Sequence, residues 1–190
     1  MAAIEFNPTG AVNFDLAKGR VGLDRACARI LVPADTLLDV CHAAGEDALR
    51  DFGRRLGSEA GRRVAERLSD AVTTATAQTV VEHLGGDLAL VGLGTLGFER
   101  WGTALVVTFH NVPFGSGGVA LVAAVLEGAL QRVFSRDVAA VALGADTDPV
   151  RLVVLSPAGG EKVRSWLDEG VSWGDALQRL HERSGTRGEQ

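Results

Sequence analysis

The stretch that decides the fold is Glu46–Val72, EDALRDFGRRLGSEAGRRVAERLSDAV. Its apolar residues recur at helical spacing while arginines and carboxylates fill the other face, which predicts one long amphipathic helix. The apolar positions are Ala48, Leu49, Phe52, Leu56, Ala60, Val64 and Leu68. A helix with such a stripe must bury it against another layer of the protein.

Three glycines, Gly53, Gly57 and Gly61, stand four residues apart within this helix. Each costs about 1 kcal/mol relative to alanine in a helix interior, so three together need a structural reason. One interpretation is close packing on a sheet or neighbouring helix, because a missing Cβ lets two backbones approach. The other interpretation is that the glycine face contacts another molecule, either a second copy of the chain in a homodimer or a ligand that lies along this face. The surrounding charges exclude a membrane-type dimer motif.

Upstream of the long helix, Ala28–Pro33 predicts a short strand or an extended segment that leads into the next helix. Ala34–Ala44 predicts a helix, because Pro33 suits a helix start and Asp35 complements the positive end of the helix dipole. Downstream, a helix is expected over Thr74–Leu84 that ends at Gly85-Gly86. His83 would then lie at the end of this helix, where a positive charge is favoured.

The following segments alternate between β-type and helix-type runs. Short, Gly-punctuated or β-branched runs predict strands at Leu88–Leu93, Thr95–Arg100 and Thr103–Val112. The nearly all-apolar run Val119–Phe134 predicts a buried helix. Two strands joined by a short turn, Val138–Leu143 and Val150–Leu155, are expected to pair antiparallel.

The C-terminal part predicts two small helices, Gly160–Glu169 and Ser172–Ser184, with Trp166 and Trp173 docking them on the body. The pattern as a whole indicates an α+β fold, an antiparallel sheet of about four to five strands covered by helices. We expect a flexible N-terminal arm (1–20), an α+β domain of ligand-binding type (21–157) and a C-terminal helical tail (158–190).

Composition and charge limit the function. Of 190 residues 46% are hydrophobic and 23% charged, and the net charge is −5. A mildly acidic chain with scattered lysines and arginines lacks the clustered basic residues that bind nucleic acid. The N-terminus is not of the secretory type, and the longest apolar run, Val119–Leu130, is interrupted and too short to span a bilayer. We therefore expect a cytoplasmic protein, in which Cys27 and Cys41 are small packing residues without a disulfide.

No recognisable catalytic or metal-binding constellation is present in the sequence. The four histidines fall on different predicted elements, and none has a second His or Cys at ligand spacing. Gly92–Gly97 matches GxGxxG in letters, but the strand–helix–strand context of a dinucleotide site is missing. The sequence therefore predicts a protein that is not an enzyme and has neither a cofactor nor a metal.

Several segments, taken in order, are similar to the vinyl reductase-type ligand-binding domain and to its relatives, the small subunits of the TRAPP tethering complex. They are ILVPADTLLDVCHAAGEDALRDFGRRLGSEAGRRV, LALVGLGTLGFERWG with TALVVTFHNVP, LVAAVLEGALQRVF and DVAAVALGADTDPVRLVVLSP. Bacterial members usually carry cysteines before the last helix and in the final hairpin. Here Phe114–Gly118 and Gly144–Pro149 have none, so the resemblance does not imply metal or thiol chemistry.

The resemblance implies a curved antiparallel sheet covered by helices, a dimer, and an apolar pocket between helix and sheet. Such a pocket would suit a small hydrophobic molecule or an acyl chain. The candidate lining residues are Leu56, Gly57, Trp101, Phe109, Leu121 and Val125, which would equally form an ordinary core.

Three functions remain open at this point. The first is a homodimeric sensory or regulatory module that binds a small hydrophobic molecule. The second is an adaptor or scaffold subunit that binds other proteins and no small ligand. The third, with least support from the residues, is an enzyme of uncharacterised type.

Overall fold

The computed structural model describes residues 11–23, 27–69, 75–102, 104–144 and 148–185. The helices in these ranges are α1 (Ala34–Ala44), α2 (Glu46–Leu68), α3 (Ala77–Leu90), α4 (Val119–Phe134), α5 (Pro157–Asp168) and α6 (Trp173–Gly185). The strands are β1 (Val12–Asp15), β2 (Arg20–Leu23), β3 (Cys27–Arg29), β4 (Thr95–Trp101), β5 (Ala104–His110), β6 (Ala139–Ala142) and β7 (Val150–Leu155).

The central sheet has four antiparallel strands in the order β4-β5-β7-β6. Along β5 the side chains alternate between its two faces, as a pleated strand requires. Val107 and Phe109 join a core cluster with α2, α3 and α4, whereas Ala104 and Val106 join a second cluster with α5 and α6. The sheet is thus covered by helices on both faces, which confirms the predicted α+β class.

Helices α2 and α4 lie against each other along the glycine stripe. A Cβ placed on Gly57 would overlap the backbone carbonyl of Val125, and one on Gly61 would overlap the carbonyl of Ala129. In return, a Cβ on Gly128 of α4 would overlap the carbonyl of Arg54 on α2. Glycines on both helices therefore allow the two backbones to touch, as the close-packing interpretation requires.

Helix α4 is the central helix of the molecule. Together with the preceding 3₁₀ turn it spans Ser116–Phe134, 19 residues, and its length and composition would allow it to cross a membrane. Its apolar side chains, including Leu121, Val125 and Leu126, are instead buried inside the protein. Packing on α2 and the sheet accounts for its hydrophobicity.

The helix after α2 differs from the expectation. α3 continues through Gly85-Gly86 to Leu90, so the predicted stop at these glycines and the strand Leu88–Leu93 are both wrong. Gly85 packs on β4, where an added Cβ would lie 3.2 Å from the Cβ of Leu96. The glycine serves helix–sheet contact rather than termination. The predicted end of α2 at Val72 and start of α3 at Thr74 lie outside the described residues.

Residues 11–20, expected in the arm, contain regular structure. β1, β2 and β3 form a separate three-stranded antiparallel sheet, in which Phe14 lies opposite Val21 and Val12 opposite Leu23. Only β1, VNFD, alternates apolar and polar residues, and with three or four residues each these strands are too short for that pattern to stand out in the sequence.

Candidate functional site

Five of the six candidate lining residues lie on one side of the central sheet. Phe109, Leu121 and Val125 are almost fully buried in the core between sheet and helices, and Leu56 packs against it. Gly57 lies on the adjoining contact between α2 and α4. The side chains of these residues meet as parts of one packed core.

Trp101 lies on the other side. It is opposite Ala104 in the β4–β5 hairpin, so both side chains share the face that is covered by α5 and α6. Its ring stacks on Trp173 of α6 with the centroids 4.8 Å apart. The strand register therefore separates Trp101 from the other five candidates.

The candidate interface glycines, Gly53, Gly57 and Gly61, are buried against α4 of the same chain. The atoms nearest to a Cβ placed on any of the three belong to Leu121, Ala124, Val125, Ala129 and Arg132. This stripe offers no open surface to a second copy, so a homodimer gains no support from these three residues.

A polar centre lies buried between α2 and α3, where the sequence indicated none. Asp87, 1% exposed, accepts hydrogen bonds through Oδ1 from Arg63 Nε at 3.5 Å and from Arg67 Nη2 at 3.1 Å. His83 lies one helical turn before Asp87 on the same face of α3 and is also buried. The two arginines occupy equivalent positions one turn apart on α2.

Three buried atoms of this centre make no hydrogen bond in the part of the chain that the structure describes. They are Arg63 Nη1, His83 Nδ1 and Asp87 Oδ2. A buried polar atom without a partner costs about 1–3 kcal/mol, so such a group calls for a bound water or ligand, or for a functional use. The centre has spare donor and acceptor capacity beside the apolar core.

The environment of His83 corrects its expected role. Because α3 extends to Leu90, His83 lies within the helix and not at its C-terminal end. Burial lowers the pKa of His83 below its ordinary value of 6.5, and the positive charge of Arg67 lowers it further. Asp87 and Glu82 act in the opposite direction but more weakly. The imidazole is therefore held in its neutral form.

A second charged cluster surrounds Glu127, the one carboxylate in the apolar α4 run. Its Oε2 accepts from Arg54 Nε and Nη2 at 3.1 and 3.0 Å, a two-pronged contact with α2. Its Oε1 accepts from the backbone N–H of Ala140 on β6 at 3.0 Å and from Arg164 Nη2 on α5 at 3.2 Å. Both oxygens are fully used, so Glu127 ties α2, β6 and α5 to α4.

A cleft of about 330 Å³ opens beside Glu127. Its walls mix arginines with carboxylates, namely Arg54 and Arg164 with Asp137 and Glu161. A ligand of either charge would meet repulsion as well as attraction there. The arrangement fits a structural charge cluster better than an anion or cation site.

The remaining candidate groups do not converge. His42 on α1 contacts the carbonyl of Gly117 through Nε2 at 3.2 Å, His110 is exposed, and the side chain of His181 lies outside the described residues. Cys41 is a buried free thiol, and the side chain of Cys27 lies outside the described residues. Among the described residues, no three His, Cys, Asp or Glu side chains are grouped as metal ligands would be.

The fold has a structural relative of known role. Over 91% of this chain and 92% of the other, it superposes on the phenol-responsive sensory domain of the transcription activator PoxR, solved with phenol, with a TM-score of 0.58. The two chains are 12% identical, so the likeness shows the fold alone. No protein-family model matches this sequence, and no curated protein does. The vinyl reductase-type family itself is therefore not confirmed.

Proposed function

We propose that this protein is a sensory module that binds a small, mainly apolar molecule and catalyses no reaction. The observation that supports it most is the shared fold with a phenol-responsive sensory domain over nine-tenths of both chains. The architecture brings a layer of helices over one face of a sheet, and the apolar side chains between the two layers would surround such a ligand.

The ligand site is proposed on the α2–α3–α4 side of the sheet. The apolar part of the ligand would lie among Leu56, Phe109, Leu121 and Val125, beside the glycine contact at Gly57. These side chains are closely packed, so binding requires them to move apart, which is how a ligand could change the shape of a sensor. Trp101 is left out of this proposal because it lies on the opposite face.

The polar part of the ligand would meet Arg63, His83 and Asp87. Arg63 Nη1 requires an acceptor and Asp87 Oδ2 requires a donor, and a hydroxyl group is both. Leu84, a neighbour of His83 on α3, is fully buried in the apolar core. A small hydroxylated apolar molecule therefore satisfies both environments.

The proposal places the module in the cytoplasm as a homodimer. The buried free thiol of Cys41 suits a reducing compartment.

A second candidate function is an adaptor that binds another protein, and the exposed apolar residues between Phe14 and Val40 favour it. Stoichiometric capture of one protein by the purified chain, with no small molecule bound, would support the adaptor instead.

The test is isothermal titration calorimetry, which measures the dissociation constants of the full chain for phenol and for toluene. Toluene has a similar size and no hydroxyl group. We expect saturable binding of phenol, at least about tenfold tighter than that of toluene, which is a difference of about 1.4 kcal/mol. Asp87→Asn should reduce this preference, whereas Asp51→Asn, an exposed carboxylate on α2, should leave it unchanged.

Equal affinity for phenol and toluene would remove the polar centre from the proposal. No saturation with either compound, together with no small molecule in native mass spectra of freshly purified protein, would overturn the sensory function.

A further inference from the structure

The N-terminal part of the chain exposes a group of large apolar side chains. Leu16, Ile30 and Leu31 are each more than three-quarters exposed, and Phe14 is 59% exposed. With Val32 they form what we call the N-terminal apolar surface: Phe14, Leu16, Ile30, Leu31 and Val32. They lie in two short segments, 14–16 and 30–32, and exposed apolar residues that form a patch mark interaction sites more often than scattered single ones do.

The small sheet next to this surface has little support of its own. Phe14 lies in β1, whereas Leu16 lies in the turn after β1 and the other three residues follow β3. β1, β2 and β3 pair with one another and make no extensive contact with any other described element. Val12, Phe14, Val21 and Leu23 share one face through their cross-strand pairing, but only Leu23 is buried. A small sheet is stable in water only when its apolar face is covered. Val12 and Val21 are half-buried and Phe14 is exposed, so a partner that covers Phe14 would stabilise the sheet.

Charge distinguishes among the possible partners. The described residues of 11–33 contain Lys18, Arg20 and Arg29 against Asp15 alone, a net charge of +2. Helix α1, the next element, carries two aspartates and no lysine or arginine. Its outer face combines Asp35 and Asp39 with Val40, which is 63% exposed, and with Ala43. One chain thus presents a basic apolar surface and an acidic apolar surface.

We infer that the N-terminal apolar surface of one copy packs on the outer face of α1 of a second copy, and that the contact is reciprocal. Each copy supplies both complementary surfaces, so a two-fold arrangement satisfies both at once and closes as a dimer. This inference rests on the homodimer of the proposed function but not on ligand binding. The dimer interface is thereby assigned to the N-terminal apolar surface and α1, and not to the glycine stripe, which is buried within one chain.

The test uses two charge-reversed proteins of full length. Arg20→Glu/Arg29→Glu makes the sheet acidic, and Asp35→Arg/Asp39→Arg makes α1 basic. Alone, each should dissociate into monomers of the 19.9 kDa chain at concentrations where the wild type has twice that mass. We expect at least a tenfold increase in the dimer dissociation constant for each.

Mixing the two variants provides the decisive measurement. The acidic sheet of one then meets the basic α1 of the other, and the unreversed surfaces match as well, so a mixed dimer should form. Light scattering of the mixture, with one variant isotopically labelled for native mass spectrometry, identifies that dimer. Asp168→Arg, an exposed reversal on α5, is the control and should leave the wild-type dimer intact. Circular dichroism melts verify that each variant is folded.

Each result has one consequence. A wild-type chain that stays monomeric at all concentrations overturns the homodimer itself. A dimer that both charge-reversed variants retain overturns the assignment of the surface and leaves the homodimer standing. Dissociation of both variants without recovery on mixing also overturns it, because the two surfaces would then not meet between copies. A monomeric wild type that captures one other protein on the same surface supports the adaptor function and contradicts this inference.

Discussion

Gly57 lies at the point where the backbones of α2 and α4 touch. Gly57→Ala should lower the free energy of unfolding by about 2–3 kcal/mol, because its Cβ would collide with the rigid backbone around Val125. Chemical denaturation of both proteins measures the difference. The matched control is Gly174→Ala in α6, where the nearest atom to an added Cβ is 3.9 Å away. That change should be neutral or stabilising by up to about 1 kcal/mol, and equal effects at the two positions would contradict the close approach.

His83 should make stability depend on pH near neutrality. Its pKa in the folded protein is lowered, so the unfolded chain binds the proton more readily and stability falls as the pH drops below about 6.5. The loss continues until the pH reaches the folded-state pKa and is constant below it. His83→Gln should therefore show a smaller change in denaturation midpoint between about pH 7.5 and about pH 5.5 than the wild type. An identical change in both proteins would show that His83 protonates equally in the two states.

At the scale of elements, Glu127 connects α4 with α2, β6 and α5. Glu127→Gln should destabilise the protein by about 1–2 kcal/mol, because it removes the buried charge that Arg54 and Arg164 contact, whereas both arginines are more than one-third exposed and remain partly hydrated. Asp51→Asn, which breaks the exposed pair of Asp51 with Arg55, should change stability by less than about 1 kcal/mol. Urea denaturation of the two variants compares them. A Glu127→Gln protein as stable as Asp51→Asn would mean that the charge of Glu127 is not needed.

The helices and strands differ in how far their own residues predict them. α1 and α4 have the predicted ends, Ala34–Ala44 and Val119–Phe134, because proline, glycine and a continuous apolar run act locally. The end of α3 was wrong because local preference favours a stop at Gly85-Gly86, whereas contact of Gly85 with Leu96 stabilises the longer helix. Tertiary contact of this kind leaves no periodic signal in a sequence.

At the scale of the whole molecule, the sheet lies between two layers of helices. α2, α3 and α4 cover one face, and α5 and α6 cover the other through Val163, Ala176 and Leu177. The N-terminal sheet lies outside these layers, and the N-terminal apolar surface, formed by Phe14 of β1, Leu16 of the following turn and the segment Ile30–Val32 after β3, holds most of the exposed large apolar side chains of the described residues. The two proposals thus concern different parts of the protein, a ligand within the first layer and a second copy on the outside.

The amino-acid sequence by itself determined the class of the fold, the long amphipathic α2 and the buried α4, because these follow from hydrophobic period and composition along the chain. It also indicated that Gly53, Gly57 and Gly61 serve close approach, without deciding against what. The tertiary structure alone decided that the neighbour is α4, that Trp101 faces away from Phe109, and that Arg63, His83 and Asp87 meet. These facts depend on strand register and on contacts between residues far apart in sequence, which no local pattern encodes.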